Sequence, residues 1–455
     1  MKSTDLGVGS FIISLALTLS LGLFVNLVKV RATSSTYTVC PAGPPTCNYR
    51  TIQAAVDAAS EGDVIKIATG TYTDTLNPMV SITKSLTLRG GYAADFTDPP
   101  DFEAYPTVLD AQGVGSVIDV LGEITVTLEG LQITGGGDGG GLRIMNAMAT
   151  LDHNKIFNNT RGLSLNNSQV TLSYNIIVSN TATSGGGVCV SEGSAIFSNN
   201  IIAYNTALAI WPSSSTYLRD KEERQPPLSI LTTLGGGGLC LFYANIILTG
   251  NRIYSNTSYD KGGGLMIVGG ATTLTNNFIH DNQAPIGDEA FLIGGEASLA
   301  HNTFASHTRG TGLFVQGDKT FGDPGIVTMT NSIFGNYGVG IYVDTIATVT
   351  VDSTLWGSGA WANTTDITNP TNWQGEAGYI YTGTLNLWDD PHFVSPETGN
   401  YHLRPDSLAI DAGINAGIYT DFDGEPRPYS AGFDIGADEY WANPPQKIYL
   451  PMVLR

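Results

Sequence analysis

The sequence predicts an all-β protein: a single right-handed parallel β-helix, or solenoid, with a short amino-terminal cap helix and a carboxy-terminal capping module. Three observations carry that prediction. The stretch "GGGLRIMNAMATLDHNKIFNN" from Gly139 returns as "GGGVCVSEGSAIFSNNIIAYN" from Gly185 and as "GGGLMIVGGATTLTNNFIHDN" from Gly262. Aligned on the glycine before the apolar alternation, the marks are Gly141, Gly162, Gly187, Gly238, Gly264, Ala290, Gly312 and Gly340, in steps of 21, 25, 51, 26, 26, 22 and 28 residues. A period in the twenties corresponds to one solenoid turn per repeat. Between the marks, apolar residues occupy every second position, as in Leu142 and Ile144, Val188 and Val190, Leu239 and Leu241, and Leu265 and Ile267. That is strand spacing, and no helical spacing of useful length competes with it.

Each unit closes on a second short strand, seen in "ATLDHNKI", "VTLSYNII", "IILTGNRI" and "TTLTNNFI", with Leu151, Leu172, Leu248 and Leu274 in register. One coil cannot be stable alone, because its inward aliphatics find cover only in the next turn. Asparagines follow the same beat. Asn154 and Asn159, Asn175 and Asn180, Asn200 and Asn205, Asn251 and Asn256, and Asn277 and Asn282 are each five apart, and Asn302 pairs with His307. At the spacing of stacked strands, identical amides hydrogen-bond up a column. Asn154, Asn175, Asn200, Asn251, Asn277 and Asn302 are therefore assigned a structural role. The glycines mark a corner that needs positive φ or close backbone approach.

The step of 51 is twice the period. The stretch near 208–233, with Pro212, Pro226, Pro227 and the charge cluster Arg219 to Arg224, reads as a loop extruded from one coil. Cys189 and Cys240 then share an outward column on adjacent coils. Parallel in-register strands offer poor disulfide geometry, so free thiols are favoured over a bridge. The full outward column reads Arg143, Ser164, Cys189, Cys240, Met266, Leu292 and Phe314, largely apolar toward one end.

Composition agrees with a repetitive β chain. Among 455 residues there are 55 glycines without a collagen period, 42% are hydrophobic and only 14% charged. With 21 basic against 41 acidic residues, a formal charge of −20, nucleic acid is excluded as a partner, since phosphate neutralisation needs clustered Lys and Arg. Residues 1–32 carry Lys2, an apolar run through Val28 and Val30-Arg31-Ala32 at a small-residue cleavage site. They read as a secretory signal or an uncleaved signal anchor, and the expected location is secreted or cell-surface. Membrane contact is expected only through that segment. Cys40 and Cys47 in "VCPAGPPTCNY" fit a small loop-closing disulfide better than a metal site in exported material.

Residues 33–125 read as the front cap and first coils, and residues 126–385 as the repeats. In "TIQAAVDAASEGDVIKIATGTY", Ile52, Val56 and Ala59 lie on one face of a short helix and Val64 to Ile67 begin the first strand. This segment resembles the amino-terminal cap of the pectin-lyase-like superfamily. After about Trp356 the repeat fades. Residues 386–441 contain Asp390-Pro391, Ile410-Asp411-Ala412-Gly413, Asp423-Gly424, Arg427-Pro428, Asp434-Ile435-Gly436-Ala437 and Glu439-Tyr440. These motifs resemble the choice-of-anchor Q module that follows right-handed β-helix repeats in secreted bacterial proteins. Residues 442–455 form a tail ending in "KIYLPMVLR".

The superfamily resemblance implies enzymes acting on acidic polysaccharides, but neither a calcium-binding acidic ladder nor a cluster of catalytic Asp residues is legible in the repeat columns. The best enzyme candidates are Lys261 and Arg309, two coils and roughly 10 Å apart by strand spacing, with Asp288 and Glu289 between them. Lys and Arg together can abstract a proton and stabilise charge beside a uronate; a surface salt-bridge patch is the favoured reading. In "TDFDGEPR" alternate oxygens precede a turn glycine, as in calcium loops. Asp421, Asp423 and Asp434 are the calcium candidates there, and a structural network of carboxylates around Arg427 is the favoured alternative. The function expected is that of an exported, non-catalytic β-helix scaffold with carbohydrate binding, whose partner is a polysaccharide or a cell-envelope component. The alternative is a polysaccharide lyase or glycoside hydrolase acting on acidic glycans.

Overall fold

The computed structural model describes residues 34–208, 235–306, 310–371 and 375–442. The amino-terminal apolar segment, the insert beyond Leu208 and the tail beyond Ala442 lie outside the described residues, as do His307 and Arg309.

The chain is a right-handed parallel β-helix. A typical coil runs through Leu239–Phe242, Asn245–Thr249 and Arg252–Tyr254 before the next begins at Leu265–Val268. The first two strands of every coil join a 22-stranded sheet, because in two coils they fuse into the eleven-residue strands Leu163–Ser173 and Val188–Ser198. The third strand of each coil stacks into a second, 12-stranded sheet. Pairing is parallel and in register, as in Leu163↔Val188↔Leu239↔Leu265. Alternation then turns every second residue inward. The columns Leu151, Leu172, Phe197, Leu248, Leu274 and Ile156, Ile177, Ile202, Ile253, Ile279 are buried in one continuous core. Each such side chain is worth roughly 1.5–3 kcal/mol of burial. Toward the carboxy-terminal end the second column turns aromatic with Phe304, Phe334 and Trp356, the first two rings stacked 4.4 Å apart.

The front of the solenoid is closed by the helix Ile52–Ala58. Thr51 caps it with a side-chain oxygen that accepts from the Ala54 N–H, and Ile52, Ala55 and Val56 face the core. A strand precedes this helix: Thr36–Val39 pairs with Val64–Ala68, so the first rung starts earlier than the sequence suggested. Cys40 and Cys47 are joined by a disulfide, with Cα atoms 6.0 Å apart.

Two asparagine ladders run up the middle coils, from Asn154 to Asn302 and from Asn159 to Asn282. Asn154, Asn175, Asn200, Asn251, Asn277 and Asn302 each donate from backbone N–H and side-chain amide to the next Oδ1 at 2.9–3.0 Å, the last meeting Ser332 by its backbone N–H. The residue before each ladder Asn supplies the corner. His153, Tyr174, Asn199, Gly250, Asn276 and His301 all have positive φ, and that turn aims the following amide into the core. The repeat-marking glycines are needed for a different reason. A Cβ on Gly187 would lie 2.6 Å from the Gly238 carbonyl and 2.9 Å from the Asn205 amide. It is close approach that excludes a side chain there.

The second ladder ends unexpectedly. Asn159, Asn180, Asn205, Asn256 and Asn282 chain in the same way, but the Asn282 amide donates to the carboxylate of Glu289 at 2.6 Å, whose other oxygen accepts from the Tyr337 hydroxyl at 3.2 Å. Glu289 stands in the glycine column: Ala290 pairs with Leu265, not with Gly264 as the aligned marks had it. The same one-residue difference puts Phe291 outward beside Met266 and Phe314 and buries Leu292 in the core. Where the ladder amide gives way to another residue, a longer side chain fills the space and supplies the acceptor.

The closing module lies along the flank of the solenoid. Leu387–Asp389 is the last strand of the second sheet. The chain then folds back, through the antiparallel pair Phe393–Ser395 and Asn400–Leu403, over the outward face of that sheet. Phe393, Tyr401, Leu403, Ala409, Ile435 and Ala437 form a separate buried cluster with Phe278, Ala305, Ile333 and Leu355. Polar seams fix the contact: Asn331 receives the Ile414 N–H and donates to its carbonyl, and His301 Nδ1 meets the Asp434 carbonyl.

Candidate functional site

The module does not cover the whole flank. Between it and the earlier coils runs a groove of about 1940 Å³. One wall is the outward face of the second sheet. In Arg252–Tyr254 and Phe278–His280 the middle isoleucine is buried, so alternation presents Arg252 and Tyr254, then Phe278 and His280, to the outside. Corner residues Tyr174 and Tyr204, both at positive φ, project beside them and are about half exposed, at 54% and 50%. Rings therefore pave this wall: Tyr204 packs edge-on against Tyr254 at 5.5 Å, and Tyr254 stacks on His280 at 5.0 Å.

The other wall belongs to the module and is charged. His402 Nε2 lies 2.7 Å from Asp423 and 3.9 Å from Asp438. Asp281, at the floor, accepts from the Tyr401 hydroxyl at 3.2 Å and meets His280 Nδ1 at 3.0 Å. Burial opposes charge on His402, but its hydrogen bond to Asp423 and the field of Asp438 and Asp423 outweigh it, and its pKa lies above the usual imidazole value. Burial pushes the Asp438 carboxyl up to about 6.

Behind this wall Arg427 is fully buried, donating to Glu439 at 2.9 Å and to the Gly436 carbonyl at 2.9 Å. Asp434 accepts backbone N–H groups of Asp411 and Tyr440, and Asp421 those of Glu425 and Glu439. These carboxylates act as loop clamps, and Asp421, Asp423 and Asp434 do not converge on one point. The His402, Asp423 and Asp438 donor atoms, by contrast, lie within 4.8 Å of one another.

Of the enzyme candidates read from the sequence, Lys261, Asp288 and Glu289 lie among the described residues. Glu289 ends a ladder inside the core, and burial raises its pKa well above the carboxylate range. Asp288 is buried and accepts from the Ala284 N–H. Lys261 sits outside with its ammonium over the Phe291 ring at 5.4 Å. Cys189 and Cys240 pair in register as free thiols. Tyr204, Arg252, Tyr254, His280, Asp281, His402 and Asp438 were missed as a group. The triplets "RIY" and "FIH", with charge or rings on both sides of an inward isoleucine, were the signal for half of it. Nothing local pairs them with residues more than a hundred positions later.

These ionisations predict a pH dependence. Asp434, pushed up to about 7 by burial and by Glu439, and Asp438, at about 6, bind protons more tightly folded than unfolded. Their contribution is full below the unfolded carboxylate pKa and is lost as pH rises through 6–7. His301, lowered to about 3 by burial and by Arg427, acts in the opposite sense and only below the ordinary imidazole pKa. The melting temperature is expected to fall between pH 5 and pH 8, by several degrees; a flat or rising profile in differential scanning fluorimetry contradicts this.

The right-handed β-helix region model matches residues 114–221 and 229–368, more than half of the chain. Solved structures with a similar course include pectate lyase Pel9A (TM-score 0.35, 14% identity, covering 90% of this chain and 97% of that one). Others are the catalytic unit of a GH87 α-1,3-glucanase from Streptomyces thermodiastaticus (0.38, 15%, 78% and 69%) and pectin methylesterase from carrot (0.32, 13%, 78% and 89%). At these identities the likeness is one of fold alone. No curated protein sequence matches the chain. Stacked in-register coils, buried amide ladders and a family match across the repeats agree, and the chain belongs to the right-handed β-helix family.

Proposed function

We propose that this protein is exported through its amino-terminal apolar segment to the cell surface or medium, and that it serves there as a non-catalytic β-helix scaffold whose flank groove binds carbohydrate. The observation that carries the reading is the ring-paved wall. Tyr174, Tyr204 and Tyr254 line a groove of about 1940 Å³ whose opposite wall is polar. Aromatic faces take the C–H faces of sugar rings while flanking Arg, Asp and His groups take hydroxyls. The choice-of-anchor resemblance of the closing module fits a place at the envelope, and the charge of −20 fits a soluble exterior protein.

Affinity electrophoresis against polygalacturonate, alginate and chondroitin, with a glycan array, tests this. Retention is expected without turnover, and Tyr204→Ala is expected to weaken it about tenfold, near 1.4 kcal/mol. Equal retention of wild type and Tyr204→Ala removes the groove from the account. The carboxylate Asp281 in the groove favours a second reading, glycan cleavage. Reducing ends or unsaturated products that disappear in Asp281→Asn would establish it in place of the scaffold.

A further inference from the structure

We propose that His402, Asp423 and Asp438 form a divalent transition-metal site of the zinc or manganese class in the module wall of the groove. Among the described residues this is the one cluster of three or more His, Cys, Asp or Glu side chains whose donor atoms lie within 4.8 Å of one another. Metal–ligand distances of about 2.0–2.2 Å put the donors of one tetrahedral ion about 3.3–3.6 Å apart. To take an ion, the 2.7 Å pair of His402 with Asp423 has to open and the 3.9 Å pair of His402 with Asp438 to close, each by less than an ångström. Asp438 is buried and His402 and Asp423 are partly buried, with side-chain exposures of 22% for His402, 9% for Asp423 and 8% for Asp438.

Two independent features point to a cation. Asp438 is 5% exposed, and its Oδ2 accepts the Leu403 N–H at 2.7 Å. Its Oδ1 receives no hydrogen bond from a described residue and faces His402 Nε2 at 3.9 Å. Meanwhile both nitrogens of His402 face acceptors: Nδ1 meets Asn400 Oδ1 at 2.5 Å and Nε2 meets Asp423 Oδ2 at 2.7 Å. Two acceptors on one ring require an imidazolium, or a metal in place of the Nε2 proton with Asn400 orienting the ring from behind. The imidazole suits zinc and disfavours calcium, which takes oxygen, while the two carboxylates also suit manganese. Three protein ligands leave a position open to water or a hydroxyl. The site stands whether or not the groove takes a glycan.

Isothermal titration of the chelator-treated full chain with Zn²⁺, Mn²⁺ and Ca²⁺ tests the assignment. One Zn²⁺ or Mn²⁺ per chain is expected, at least tenfold weaker in His402→Ala and in Asp438→Asn, and unchanged in Tyr204→Ala, which separates this site from the glycan reading. Should His402→Ala fail to fold, the near-isosteric Asp438→Asn carries the same comparison. Saturable Ca²⁺ binding without Zn²⁺ or Mn²⁺, no saturable binding, or equal affinity in wild type and Asp438→Asn overturns the proposal.

Discussion

Replacing Arg427 with methionine is expected to release the closing module while the β-helix stays folded. The guanidinium is buried with Glu439, both side chains at most 1% exposed, and also donates to the Gly436 carbonyl. Removing one partner of a buried pair leaves an uncompensated charge and costs about 3–5 kcal/mol. Here that charge is a carboxylate that also organises the Tyr429 and Asp434 N–H groups. The solenoid has its own core, separate from the module cluster, so the loss should be local. Hydrogen exchange across residues 393–441 is expected to rise by orders of magnitude with unchanged far-ultraviolet circular dichroism. Wild-type protection in Arg427→Met would mean that the apolar cluster alone holds the module.

Asn205→Ala is expected to destabilise the solenoid itself, by at least about 3 kcal/mol. Asn205 Oδ1 accepts both the backbone N–H and the side-chain amide of Asn180 at 3.0 Å, and its own amide donates to the Ile177 carbonyl and to Asn256. Truncation leaves buried donors and acceptors unpaired on two neighbouring coils, at about 1–3 kcal/mol for each group. The denaturation midpoint should drop accordingly. Gln169→Ala, at an exposed position of the strand Leu163–Ser173, should stay within about 0.5 kcal/mol. A midpoint for Asn205→Ala as high as that of Gln169→Ala would show the ladder to be dispensable.

Most of the fold was legible because a stacked coil repeats its environment and therefore its residues. Leu151, Leu172, Phe197, Leu248 and Leu274 stand in one column because each is the next one's cover. Reading failed where one coil departs from the rule. Ala290 resembled a substituted glycine mark, yet the glycine place is taken by Glu289, whose carboxylate continues the amide ladder. A buried carboxylate in a glycine column breaks the local pattern, and only its partners Asn282 and Tyr337 account for it.

The candidate site divides along the same line. Periodicity of 2 places Arg252, Tyr254 and His280 outside, on the second sheet, from the sequence alone. Which face the closing module would cover, and hence that His402, Asp423 and Asp438 would stand opposite those rings, was decided by tertiary packing. In-register stacking is a nearest-neighbour interaction, and it writes itself into the chain at every turn. Docking of the module joins Phe278 to Tyr401 and Asn331 to Ile414; contacts made once, across such separations, leave no period to read.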